Sequence, residues 1–429
     1  MSSTNTLKRQ IGLVGAIALG LGSIIGTGVF VSIGIATGIA GSAVIVAIAL
    51  AAGVAICNGL NSAQLAASHP VSGGSYEYGY RYLNPQLGFT AGWMFLLAKS
   101  ASAATAALGF AGYLLNVLGI ENSALLVPIA FSAIVILTLI VLGGIRRSNV
   151  VNMVIVAITL LSLLFFVVAG FPIVLSTRFA NFTPFLPEQP IQAILQATAL
   201  MFVAYTGYGR IATMGEEVRE PQRTIPRAML VTLVITMLLY VSVAVVGIGV
   251  VDAAVLGNVT NRQVAPLEVA ARSFGIPGSN LILAVGAMTA TLGVLLNLIL
   301  GLSRVLFAMG RRRDMPRIVA RLSGSEASPN IAIIVMGSAI ALLVLIGDVR
   351  VTWSFSAFSV LVYYAITNFA ALRVPKHDRL YPKWIAWIGL FACLFLAFWV
   401  EQQVWMIGLG LIAVGLLWQD LFRKLNQVT

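Results

Sequence analysis

Residues 20–30 read Gly-Leu-Gly-Ser-Ile-Ile-Gly-Thr-Gly-Val-Phe and lie inside an apolar run long enough to cross a bilayer. A continuous transmembrane helix has little need of four glycines, a serine and a threonine in eleven residues. Glycine removes the side-chain penalty for leaving helical geometry, so a Gly-Thr-Gly centre lets the helix unwind at mid-membrane and turn amides and carbonyls toward a cavity. In lipid each unsatisfied backbone group costs several kcal/mol. The expectation is that a bound substrate satisfies them.

The remaining composition fits a membrane setting. Of 429 residues, 59% are hydrophobic and 9% charged, and the mean hydropathy of +0.98 lies far above that of soluble domains. The net charge of +12 could suggest nucleic acid, but the Lys and Arg residues cluster in short loops between apolar runs. Cys57 and Cys393 both fall inside expected spans and imply neither a disulfide nor a metal site. The apolar run after residue 10 is too long and too glycine-rich for a cleaved signal peptide and reads as a retained first span.

Segmentation against the roughly 20 residues needed to cross the hydrocarbon core predicts twelve spans. They lie near 11–37, 42–66, 86–115, 123–142, 149–170, 190–212, 225–250, 279–309, 329–347, 351–372, 384–400 and 403–419. The chain reads as one polytopic domain over 1–428, an all-α integral membrane fold. The sixth span carries a second interruption, Phe202-Val203-Ala204-Tyr205-Thr206-Gly207-Tyr208-Gly209. Spans one and six are five apart, the offset expected when residues 11–170 and 190–372 are inverted five-helix repeats that each open with a discontinuous helix. Residues 384–419, helices eleven and twelve, are then an appendage. The competing explanation is close packing through small residues such as Gly22 and Gly26.

With the N-terminus taken as cytoplasmic, only Arg178, Arg262, Arg272 and Arg350 fall outside and Lys99 falls in a span. The other 21 of the 26 Lys and Arg are inside, which places both termini in the cytoplasm of a plasma (bacterial inner) membrane protein. Residues 70–78, rich in breakers and aromatics, read as a cytoplasmic turn joining spans two and three.

Together, residues 25–30, the 70–78 turn, Gly92-Trp93, Tyr205-Thr206-Gly207-Tyr208 and the charged segment 216–227 resemble amino acid permeases of the amino acid-polyamine-organocation superfamily. The resemblance covers about residues 10–320. It implies a leucine-transporter-type fold of twelve helices that alternates access around a central amino acid site. It further implies that amides of Thr27 and Gly28 meet the substrate carboxylate, with Gly26 allowing the approach. Carbonyls of Ile24, Val203 and Thr206 would meet the α-ammonium, in keeping with the polarity of half-helix ends. Phe202, Ala204, Tyr205 and part of span three would face the side chain, beside Gly207. Some relatives carry a large aromatic where this chain has Val203, which leaves Phe202 or Tyr205 as the occluding group.

Lys99 is the lysine within a span, and an intramembrane ionisable group is a functional candidate by default. It reads either as a proton-coupling residue or as a static charge satisfied by backbone carbonyls. Some proton-coupled relatives place a lysine in span five where this sequence has Thr159, so that role does not transfer to that position. Thr159, Thr289 and Thr291 could ligate a sodium ion, although such threonines more often bond their own helix. Proton coupling, sodium coupling and uncoupled exchange all stay open. The absence of acidic residues at mid-membrane and the nearby lysine favour a neutral substrate over a cationic one. Arg210, Glu216 and Glu217 form a candidate inner gate, against a reading as a self-neutralising loop.

The sequence holds no reactive constellation of an intramembrane enzyme and calls for no cofactor. The expected partners are a small amino acid, the lipid bilayer and, under the coupled reading, protons. A channel or an amino acid sensor would use the same backbone site.

Overall fold

The computed structural model describes residues 11–69, 74–120, 122–143, 149–213, 218–322 and 328–428. The gate candidates Glu216 and Glu217 lie outside the described residues. Among the described residues the chain is helical, with one isolated parallel bridge between Ile11 and Val218.

Helix α1 (Leu13–Ile24) stops inside the first apolar run, and a π-helical turn (Gly28–Ser32) and α2 (Ile33–Ala40) complete it. Then come α3 (Val44–Ser68), α4 (Ser75–Tyr82), α5 (Pro85–Val117), α6 (Leu126–Leu142), α7 (Asn149–Ser176) and α8 (Pro190–Tyr205). A 3-10 turn (Thr206–Tyr208) links α8 to the short α9 (Gly209–Thr213). The chain continues through α10 (Pro221–Val251), α11 (Ala253–Gln263), α12 (Pro266–Arg272) and α13 (Ser279–Arg311). It closes with α14 (Asn330–Val344), α15 (Val349–Leu372), α16 (Lys383–Ala397) and α17 (Gln402–Val428). Eight helical segments are long and apolar enough to cross a membrane, and α1, α14 and α16 are shorter apolar helices.

Local chemistry sets several starts. Asn84 Oδ1 accepts from Leu87 N–H (2.8 Å) ahead of Pro85 at the first position of α5. Asp348 caps α15 through Arg350 N–H (2.7 Å), and Asp252 caps α11 through Val255 N–H (2.8 Å).

The most apolar windows of α5 and α15 are 78% and 83% buried, whereas those of α6 and α17 are 22% buried. The first pair therefore forms the centre of the bundle. The second pair turns exposed residues such as Leu139 and Leu417 to the surroundings, as a lipid solvent permits.

Two regions depart from the sequence expectation. Of the stretch read as a turn at 70–78, residues 70–73 lie outside the described residues, and helix α4 begins at Ser75, with Gly74 at φ 57° turning the chain, Glu77 in the first turn and Arg81 in the last. The link between α10 and α13 folds as α11 and α12. There buried Glu268 accepts from the Asn116 amide of α5 and from Arg272 Nε (3.0 Å), which docks α12 onto the bundle.

Candidate functional site

The first break is built from residues that need not be helical. Ile25 is extended (φ −78°, ψ 111°), with its N–H donated to Leu21 O (2.8 Å), so the carbonyls after Leu21 lose their intrahelical donors. Gly26 O then accepts from Val29 N–H (3.1 Å) and Phe30 N–H (3.3 Å) as the helix restarts. Thr27 and Gly28 open that restart, where first-turn amides have no carbonyl of their own helix to bond. The second break follows Tyr205, where α8 tightens into the Thr206–Tyr208 turn.

The two breaks touch. A Cβ on Gly207 would lie 2.1 Å from Ser23 O, and one on Gly28 would lie 2.7 Å from Ala204 Cβ. Only glycine admits these approaches. Tyr240 of α10 ties them together, its hydroxyl 3.1 Å from Ile24 O and 3.2 Å from Ala204 O.

A cavity of about 480 Å³ opens beside the junction. Ile24, Thr27, Gly28, Val203, Ala204, Thr206 and Gly207 line it with Lys99, and it extends to Ser75 and Tyr78 of α4, Arg210 of α9 and Arg304 of α13. Thr27 Oγ1 is buried without a hydrogen-bond partner, an acceptor and donor left for something in the cavity. Lys99 Nζ donates to Thr206 Oγ1 (2.8 Å), and that hydroxyl donates to Val203 O (2.7 Å).

The structure thus gathers nine of the expected site residues, Arg210 among them, at one cavity. Gly26 stands just behind it, where a Cβ would meet the end of Val294 at 2.5 Å. Phe202 and Tyr205 are turned elsewhere. Phe202 packs edge-on against Tyr364 (5.6 Å), and the Tyr205 hydroxyl donates to Ile48 O (3.2 Å). Phe95, Tyr364 and Trp353 line the cavity instead, and the Trp353 indole is fixed by donation to Leu200 O (3.0 Å). Phe95 belongs to the third span, part of which was expected to face the pocket; Tyr240, Trp353 and Tyr364 were not expected there, although a tyrosine deep in an apolar run carries the same signal as Lys99, a polar group that needs a partner.

The three threonines separate. Thr159 borders a second, water-sized void of about 10 Å³ with Gly22, Ile25 and Asn297. Its hydroxyl donates to Ile155 O (2.7 Å). Thr289 and Thr291 donate to Val285 O and Ala287 O (2.7 Å each) and border neither cavity.

The profile of the amino acid permease family matches residues 15–426. An uncharacterised transporter of Mycobacterium tuberculosis (strain H37Rv) is 38% identical over 415 residues, covering 95% of this chain and 90% of the relative. The branched-chain amino acid permease BcaP of Bacillus subtilis is 26% identical, covering 99% of this chain and 96% of its own. A methylthioribose transporter of the same organism is 28% identical, covering 76% and 73%.

Proposed function

The chain belongs to the amino acid permease family, and on that premise we propose a secondary carrier that moves neutral amino acids by alternating access. It is a transporter and not an enzyme, and a multi-pass membrane protein. The observation that carries the reading is the meeting of two broken helices at one cavity, with the amide ends of Thr27 and Gly28 beside the orphaned Thr27 hydroxyl. Such amides favour a carboxylate, and the carbonyl ends at Ile24 and Val203 favour an ammonium. A zwitterion satisfies both poles.

The matched interruptions support a twelve-helix arrangement with an inverted five-plus-five repeat and two further helices. The positive-inside bias supports a plasma (bacterial inner) membrane location with cytoplasmic termini. Lys99, Arg210 and Arg304 line the cavity and no described carboxylate does, which disfavours a cationic substrate. Lys99 is the residue through which protons couple to transport. Arg210 and the charged segment after it form the inner gate. The methylthioribose transporter among the relatives supports a second reading, exchange of another small polar solute through the same cavity.

Binding of radiolabelled L-leucine to purified protein, competed with unlabelled L-alanine, L-leucine and L-arginine, tests the substrate class. Displacement by the neutral pair and not by arginine is the expected result. Displacement by arginine alone would overturn it.

A further inference from the structure

Each carbonyl that should receive a substrate ammonium already accepts a hydrogen bond from within the protein, and one of them is filled. Ile24 O takes the Tyr240 hydroxyl (3.1 Å), and Thr206 O takes the Tyr364 hydroxyl (3.4 Å). Val203 O is filled twice, by Thr206 N–H and by Thr206 Oγ1 (2.7 Å). A carbonyl oxygen has two lone pairs, so Val203 O has none left for a ligand. What holds the Thr206 hydroxyl in that direction is Lys99 Nζ at 2.8 Å. An ammonium has three donors and no acceptor, so Thr206 Oγ1 must accept from it and send its own proton to Val203 O.

We propose that Thr206 is a relay through which the Lys99 proton and the substrate ammonium exclude one another, so that substrate binding expels a proton. When Lys99 gives its proton to solvent through the cavity, its amine acquires a lone pair. The Thr206 hydroxyl then turns and donates to that nitrogen, and Val203 O regains a lone pair. The substrate ammonium donates into it. One proton leaves for each zwitterion bound, and no bond to carbon changes. The Lys99 charge no longer opposes the substrate ammonium, so charge repulsion acts in the same sense.

The other titratable groups that line the cavity with Lys99 come from four elements. Arg304 comes from α13, Arg210 from α9, Tyr363 and Tyr364 from α15 and Tyr78 from α4. No other described element packed on α5 puts a titratable side chain on the cavity. Thr206 is a positioning residue in this scheme, acting on Val203 O under the control of Lys99. The inference rests on the helix breaks being an amino acid site and adds the direction of proton movement, which that reading leaves open.

The test measures binding of radiolabelled L-leucine and L-alanine to the purified full-length protein from about pH 5 to about pH 9, with a dye in weak buffer reporting proton release. Linkage of one proton gives up to about tenfold tighter binding per pH unit on the acid limb. Up to about one proton should be released per amino acid bound. Lys99→Met should bind with no pH slope and release no proton. Thr206→Val should tighten binding at the acid end and flatten the slope, and Thr206→Ser should restore both. Proton uptake on binding, pH-independent binding by the wild type, or a Thr206→Val loss equal at every pH would overturn the relay and leave the carrier reading intact. Failure of both amino acids to bind at any pH would overturn the amino acid site itself, and the relay with it.

Discussion

At the scale of single residues, the site depends on what glycine leaves out. A Cβ at position 28 would meet Ala204 Cβ at 2.7 Å and Ala204 Cα at 2.9 Å, and the second of these is backbone that cannot swing away. Gly28→Ala must therefore separate the two breaks. Overpacking of this kind costs about 1–3 kcal/mol, so leucine affinity should fall on the order of tenfold or more in an equilibrium binding assay. Gly53, in the middle of α3, has nothing within 4 Å of such a Cβ. Gly53→Ala should keep full affinity and an undiminished melting midpoint, since alanine favours a helix by roughly 0.5–1 kcal/mol over glycine. The glycines of the two breaks were legible in the sequence because they cluster at matching positions of two apolar runs, five spans apart, which close packing of single helices does not require. The orientations of Phe202 and Tyr205 were not legible, because helical periodicity assigns faces only while the helix continues, and both residues stand at its end.

At the scale of elements, α4 forms one wall of the cavity and is held from outside it. The Tyr76 and Tyr80 hydroxyls donate to Asp314 just past α13 (2.6 and 2.7 Å), while Arg312 lies 4.2 Å over the Tyr80 ring and pairs with Glu77 (2.5 Å). Asp314 is 5% exposed. Asp314→Ala leaves two phenols without an acceptor, at about 1–3 kcal/mol each where water cannot reach. The thermal unfolding midpoint of the variant should drop measurably, with leucine affinity reduced less than by Gly28→Ala. Burial first, and then the Asp314 carboxylate, push both phenols above the ordinary tyrosine value. Their neutral form makes the bonds, so their contribution is complete below the unfolded value of about 10 and is lost as pH rises through the folded values. The wild-type midpoint should stay level through neutral pH and fall above about pH 10, and Asp314→Ala should flatten that fall. Unchanged alkaline profiles in the two proteins would show that the cluster does not hold α4. The α4 helix was hidden in the sequence because the glycines before Ser75 look like a turn that continues, whereas Gly74 at φ 57° leads straight into a helix.

At the scale of the whole molecule, α5 and α15 make a buried centre against which the broken helices lean. Lys99 projects from α5, and Tyr364 and Trp353 project from α15. The long apolar segments were legible because bilayer thickness dictates their length, and most of the long helices begin and end close to the expected bounds, α7 and α17 running further. Helices α11 and α12 escaped that test because they are too short and too polar to span anything. They are held instead by tertiary contacts such as Gly38 against Gly257, where a Cβ on Gly257 would lie 2.5 Å from the Gly38 Cα, and by the buried Glu268. The carrier we propose would expose its site to one side at a time, and that is the central claim to test. The direct measurement is counterflow in liposomes preloaded with unlabelled L-leucine, following entry of radiolabelled L-leucine with and without a proton gradient. Saturable entry that depends on the internal amino acid is the expected result, whereas a linear, non-saturating flux indifferent to the internal load would contradict the carrier account.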